Sequence, residues 1–140
     1  MIQYSVNIEV PLAMVWSHFH AKIEHPENFV PGVSDVQIKE KTDDHVIRSM
    51  HISMPDGTGA TVVEQITHTP YKVRYLVIDH PVYSGYVDNI AEPVSEQVTN
   101  ITYVMHWVNK QSGEPFTNEE IAKNAVLKTI AHILASVSGM

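Results

Sequence analysis

One amphipathic helix early in the chain, a succession of alternating runs, and a second amphipathic helix at the end restrict the fold more than any other feature. Leu12, Val15, Trp16, Phe19 and Ile23 recur at helical spacing and make one apolar stripe. Pro11 stands where a helix can begin, because its missing N–H would be unpaired there anyway. Pro26 and Pro31-Gly32 end that helix and mark a tight corner around Phe29 and Val30. Ahead of it lies a run over 2–10, in which Ile2, Tyr4, Val6 and Ile8 alternate with Gln3, Ser5 and Asn7, the period of a half-buried strand.

Six further strands are expected near 33–41, 45–54, 60–68, 71–78, 82–91 and 96–108. The connections between them hold only a few residues and offer no helical period. Parallel neighbours need long crossovers, so adjacent antiparallel pairing follows. After Ser112-Gly113-Glu114-Pro115 the pattern changes. Thr117-Asn118-Glu119-Glu120 has the form of a capping box and predicts a helix from Thr117. Ala122, Val126, Leu127, Ile130, Ile133, Leu134 and Val137 are expected to share its buried face. A sheet with one long apolar-faced helix must lay that helix on its concave side. The fold class is therefore α+β, a curved antiparallel sheet of about seven strands wrapped around a C-terminal helix. Residues 1–140 are expected to form a single domain, with no linker, repeat or low-complexity segment.

Charge and composition remove whole classes of function. Nine Lys+Arg against sixteen Asp+Glu give a net charge of −7, without any basic run. Nucleic acid and anionic membrane surfaces both need concentrated positive charge, so neither is an expected partner. There is no cysteine, which excludes disulfides, thiolate catalysis and Cys-ligated zinc. The sequence enters a polar-alternating strand at once, with no apolar stretch of signal-peptide or membrane-spanning length, and a cytoplasmic location without membrane insertion is expected.

Several residues also carry a resemblance. Met14-Val15-Trp16, the phrase His25-Pro26-Glu27-Asn28-Phe29-Val30-Pro31-Gly32, Ile47-Arg48, Val63-Glu64-Gln65-Ile66 and Val87-Asp88-Asn89 are similar to the START-like (Bet v 1-like) helix-grip superfamily, the SRPBCC group. Within it the chain resembles the AtaL-like subfamily over nearly its full length. The superfamily resemblance implies a deep, largely apolar cavity between sheet and helix, used for lipids, plant hormones, polyketides or other hydrophobic molecules. The subfamily has a member in a fungal secondary-metabolite cluster and offers no catalytic residues to carry over.

Strand parity selects candidate cavity residues. In the last strand Ile101, Tyr103, Met105 and Trp107 share a face and are expected inward. The charge on Asp88 argues for its exposure, which turns Val87 and Asn89 inward. Arg48 rides with Val46, Met50, Ile52 and Met54, and Glu64 with Val62 and Ile66. The tight turn near Gly57 sets Arg48 nearly opposite Glu64. Three readings stay open for that pair: a snorkelling arginine beside a solvated glutamate, a buried ion pair, or polar groups that orient a ligand. Tyr75, Tyr86, Tyr103 and Trp107 are suited either to core packing or to stacking on an aromatic ligand, and Trp16 to packing. The candidate ligand-binding set is Arg48, Met50, Glu64, Tyr75, Asn89, Tyr103, Met105, Trp107 and, from the helix, Ile130.

Nine histidines invite a metal, but His18 and His20 diverge by about 200° on a helix and the others are scattered singly. No metal and no cofactor is expected. Gly57-Thr58-Gly59 lacks the Lys-Ser/Thr and following helix of a phosphate loop. Three functions remain. The chain binds a small hydrophobic molecule such as a lipid, polyketide or aromatic metabolite. Alternatively it is a cyclase- or dehydratase-type enzyme in which Arg48, Glu64, Asn89 or Tyr103 polarises a carbonyl. The third is a structural or regulatory protein whose cavity is closed by Met50, Met54, Met105 and Trp107. A homodimer is compatible with each.

Overall fold

The structure, a computed structural model, describes residues 1–53 and 57–138. Seven strands form one antiparallel sheet: β1 (Ile2–Ile8), β2 (Val33–Lys41), β3 (Val46–Ser53), β4 (Gly59–Thr69), β5 (Lys72–Asp79), β6 (Tyr83–Pro93) and β7 (Thr99–Asn109). Helix α1 (Leu12–Glu24) follows β1, a single 3-10 turn covers Pro26–Asn28, and α2 (Glu119–Ser138) ends the chain. The order across the sheet is β1-β7-β6-β5-β4-β3-β2. Strands β2 to β7 are thus a meander, as short connections dictate. Because β1 and β2 occupy opposite edges, α1 and the Pro-rich corner must carry the chain from one edge to the other. The curved sheet grips α2, the helix-grip arrangement expected from the sequence.

Val15, Phe19 and Ile23 on α1 are buried, with Leu12 and Trp16 packed partly against them. The helix ends without a C-terminal glycine. Instead Arg48, reaching up from β3, donates from Nη1 to Lys22 O at 3.1 Å and to Ile23 O at 2.7 Å. Those carbonyls have no intrahelical partner and carry the negative end of the helix dipole, so a guanidinium is well matched to them. Pro26, which has no N–H to offer Lys22 O, ends the helix, and Arg48 satisfies the carbonyls this leaves free.

Helix α2 departs from expectation in two respects. It begins at Glu119 with Ile121 N donating to Asn118 O, so the first turn starts one residue later than a Thr117 cap requires. Its buried face consists of Ala122, Ala125, Val126, Thr129 and Ile133, whereas Leu127 and Leu134 are exposed and Ile130 is half-buried. Apolar residues cover a broad arc of this helix, and contact with the sheet selects the part bearing two alanines, which allow close approach. Thr129 joins that face because its hydroxyl donates to Ala125 O at 2.9 Å within the helix. Lys128 is not the free surface residue its charge suggests: Nζ donates to Glu27 O at 2.9 Å, tying α2 to the corner. Met54 and the side chain of Val137 lie outside the described residues.

Asp88 also corrects the sequence expectation. It does face away from the cavity, but it is buried. Arg74 clamps both its oxygens, Nε to Oδ1 at 2.8 Å and Nη2 to Oδ2 at 2.9 Å. Arg74 in turn lies 4.0 Å over the Tyr86 ring, and Tyr86 stacks on His106. Tyr86 therefore belongs to the outer face and is unavailable to a ligand in the cavity.

Candidate functional site

The concave face of the sheet and α2 enclose a cavity of about 290 Å³. Apart from Ser53 at the end of β3, the strands contribute to its wall from residues of one parity. Met50 and Ile52 come from β3, Val87 from β6, Met105 and Trp107 from β7, and Ile121 from α2. Val30, Pro31, Gly32 and Ser53 form part of the wall at the corner, and Asn124 of α2 lines it too. Gly32 has φ +81 and a Cβ there would collide with Ser53 O, so only glycine fits this turn without strain. Ser53 N donates to Gly32 O at 2.8 Å, holding the corner to β3.

The polar part of the wall is a charged cluster formed by Lys22, Arg48 and Glu64 with Tyr75 and Tyr103. Arg48 and Glu64 are register partners on β3 and β4, and Arg48 Nη2 donates to Glu64 Oε1 at 2.7 Å. Both side chains are almost fully buried, at 2% and 4% exposure, so of the three readings of this pair the buried ion pair is the one present. Lys22 reaches in from α1 and is 4% exposed. Its Nζ donates to Asn89 Oδ1 at 2.5 Å and stands 5.6 Å and 5.5 Å from the ring centroids of Tyr75 and Tyr103. Among the described residues no carboxylate lies within 4.0 Å of it. Burial pushes the Lys22 amine down to about 7, the nearby Arg48 charge adds to this, and Glu64 only partly opposes it. Burial also raises both the Tyr75 and Tyr103 phenols, so each is held neutral. Arg48 Nε, Asn89 Nδ2, Trp107 Nε1 and Tyr75 Oη are buried without a hydrogen-bond partner among the described residues.

Of the nine candidates, Arg48, Met50, Glu64, Tyr75, Tyr103, Met105 and Trp107 line the cavity. Asn89 lies one layer behind, holding Lys22. Ile130 packs partly against the core and is not on the cavity wall. Lys22 is the residue that sequence reasoning missed. Its signal was positional: three after Phe19 and seven after Val15, it occupies the apolar stripe of α1. Among the described residues no three His, Asp or Glu side chains converge as a metal site would require. Trp16 packs edge-on to Phe19, His20, His68 and Tyr71, away from the cavity wall.

A sheet closed over a C-terminal helix around a cavity is the START/Bet v 1-like helix-grip class, and solved structures bear this out. The chain superposes on the Zhui aromatase/cyclase from Streptomyces sp. R1128 with a TM-score of 0.72 at 15% identity, covering 98% of this chain and 92% of that one. A START superfamily protein from Mycobacterium smegmatis gives 0.68 at 10% identity, covering 95% and 92%. The human StarD13 lipid transfer and protein localization domain gives 0.65 at 14% identity, covering 94% and 73%. At these identities the likeness establishes the fold alone. Residues 6–139 match the family model described as acetylaranotin biosynthesis cluster protein L, AtaL, and the chain belongs to that family. No curated protein matches it in sequence.

Proposed function

We propose that this protein binds a compact hydrophobic molecule with an oxygen-bearing end, an aromatic metabolite or polyketide fragment, in the cavity between sheet and α2. The observation that carries this reading is the division of the cavity wall. Methionine, valine, isoleucine and tryptophan side chains supply apolar surface, while Lys22 and the Arg48–Glu64 ion pair place a buried polar cluster in it. Small-molecule sites combine the two in this way, apolar area for affinity and few polar groups for orientation. The volume of about 290 Å³ is at the low end of the ~300–1,000 Å³ usual for such sites and suits one or two fused rings. Three of the unpartnered buried polar atoms on or behind the wall are N–H donors, and the fourth is a phenol that can donate. Such a surface complements acceptor oxygens, as in a carbonyl, enolate or phenolate. Met50, Met105 and Trp107 line the space without filling it, which counts against a closed, purely structural cavity. The acidic surface and the sheet running through the whole chain fit one ligand-binding domain over residues 1–140 with no nucleic-acid partner.

A second reading, a cyclase or dehydratase, is favoured by one specific observation. A buried amine near neutrality beside an ion pair can polarise a bound carbonyl or move a proton at pH 7. Native mass spectrometry of freshly purified protein should reveal a co-purified small organic molecule. In parallel, 8-anilinonaphthalene-1-sulfonate should bind one per chain, and Met105→Trp, which fills the cavity, should abolish that binding while leaving a cooperative thermal transition. Undiminished dye binding by a folded Met105→Trp variant would exclude the cavity as the site.

A further inference from the structure

Lys22 is an unusual group to bury on this sheet. A lysine held inside a fold ordinarily has a carboxylate partner, yet the atom that accepts from its Nζ is the neutral Oδ1 of Asn89, and the carboxylate of Glu64 is engaged by Arg48. Stability alone would favour an apolar side chain here, because an unpaired buried ammonium is costly. Burial without a carboxylate partner favours the uncharged amine. Asn89 Oδ1 takes one N–H, which leaves the nitrogen lone pair available. The faces of the Tyr75 and Tyr103 rings, each about 5.5 Å away, attract an ammonium only weakly and do not replace a carboxylate, and the residue lies on the wall of the cavity. The positive charge of Arg48 further disfavours a second cation. Desolvation beside another cationic group is how a lysine becomes a nucleophile toward carbonyl compounds.

We propose that Lys22 condenses reversibly with a ketone or aldehyde carbonyl of the molecule bound in the cavity, an inference that rests on the cavity reading above. Neutral Nζ forms a bond to the carbonyl carbon as the C=O π pair moves onto oxygen. One proton passes from nitrogen to that oxygen and a second arrives from solvent. The C–O bond then breaks, oxygen leaves as water, and the nitrogen lone pair completes a C=N bond. Loss of the remaining N–H proton to solvent leaves a neutral imine, so the buried nitrogen carries no charge beside Arg48, the net change is amine and carbonyl to imine and water, and no oxidant, reductant or further reactant is needed. Asn89 acts as a positioning residue that orients Nζ.

The test uses 2-naphthaldehyde as the carbonyl probe and 2-ethylnaphthalene as its carbonyl-free analogue. The full chain is incubated with the aldehyde at pH 7 in the presence of cyanoborohydride, which reduces an imine to a stable secondary amine, and modified peptides are mapped by mass spectrometry. An exposed lysine is about one part in 2,500 free amine at this pH, whereas an amine titrating near 7 is about half free. Even after allowance for the lower intrinsic reactivity of a weaker base, Lys22 should be labelled at least tenfold faster than the exposed Lys39 and Lys123, and 2-ethylnaphthalene should compete. Calorimetry follows binding separately, on the wild type and on Lys22→Arg, which keeps charge without nucleophilicity. Binding of 2-naphthaldehyde with no preferential labelling of Lys22 would overturn the inference and leave the cavity reading standing. Failure of 2-naphthaldehyde to bind would overturn the cavity reading, and the inference with it.

Discussion

Replacing Lys22 by methionine should make the protein more stable, by an amount that depends on pH. The amine titrates near 7 in the folded chain against an ordinary 10.5. Below pH 7 it is protonated in both states, and burying the ammonium costs roughly 5 kcal/mol. Between 7 and 10.5 the unfolded chain holds a proton that the folded chain lacks, so wild-type stability rises with pH; above 10.5 both states are neutral and the penalty is gone. Methionine has nearly the length of lysine and no charge. It does leave Asn89 Oδ1 without its donor, at about 1–3 kcal/mol. The net expectation is a variant about 1–3 kcal/mol more stable than wild type at pH 7. That advantage should shrink by about 2 kcal/mol at pH 9, because only the wild type gains from deprotonation. Urea unfolding of both proteins at half-unit intervals from pH 7 to 9 measures the difference directly. The range stops there for a physical reason. Burial raises the Tyr75 and Tyr103 phenols, so near pH 10 and above the unfolded chain releases their protons first and stability falls again. Parallel stability curves over pH 7 to 9, or a variant less stable than wild type at pH 7, would refute a charge-penalised Lys22.

Arg48→Met and Glu64→Gln should each destabilise by about 3–5 kcal/mol, since each leaves a buried partner uncompensated. The arginine change should be the larger, because Lys22 O and Ile23 O also lose their donor. The double variant should fall well short of the sum in chemical denaturation, and additivity within about 0.5 kcal/mol would show that the two do not interact. On α2, Ile133→Ala should cost about 2–5 kcal/mol and the exposed Leu127→Ala less than about 0.5 kcal/mol, with comparable losses meaning that the helix presents another face. Lys128→Ala should lower stability by about 1 kcal/mol through its lost bond to Glu27 O, while Lys123→Ala leaves the urea midpoint unchanged.

The sequence by itself determined which strand residues share a face and in what order β2 to β7 pair, whereas the pairing of β1 with β7 came only with the tertiary structure. The first two follow from local rules. Successive strand residues point to opposite sides, so Tyr103, Met105 and Trp107 had to go inward together, and short turns leave antiparallel neighbours as the only option. The opposition of Arg48 and Glu64 follows equally from the position of the turn between their strands. What local rules cannot contain is how far an element rotates or what arrives from elsewhere in the chain. The apolar arc of α2 is wide enough to be turned several ways, and only packing on the sheet chose Ala122, Ala125 and Ile133 over Leu127 and Leu134. Asp88 looked like a solvent residue because its charge is local, while the Arg74 clamp that allows its burial comes from the neighbouring strand. Lys22 shows the same limit at the site. Its place in an apolar stripe was visible, but its consequence required Asn89 to lie 67 residues away in sequence and within 2.5 Å in space. An isolated stretch of sequence gives no measure of desolvation, and desolvation is what turns an ordinary lysine into the group on which the chemistry of this cavity turns.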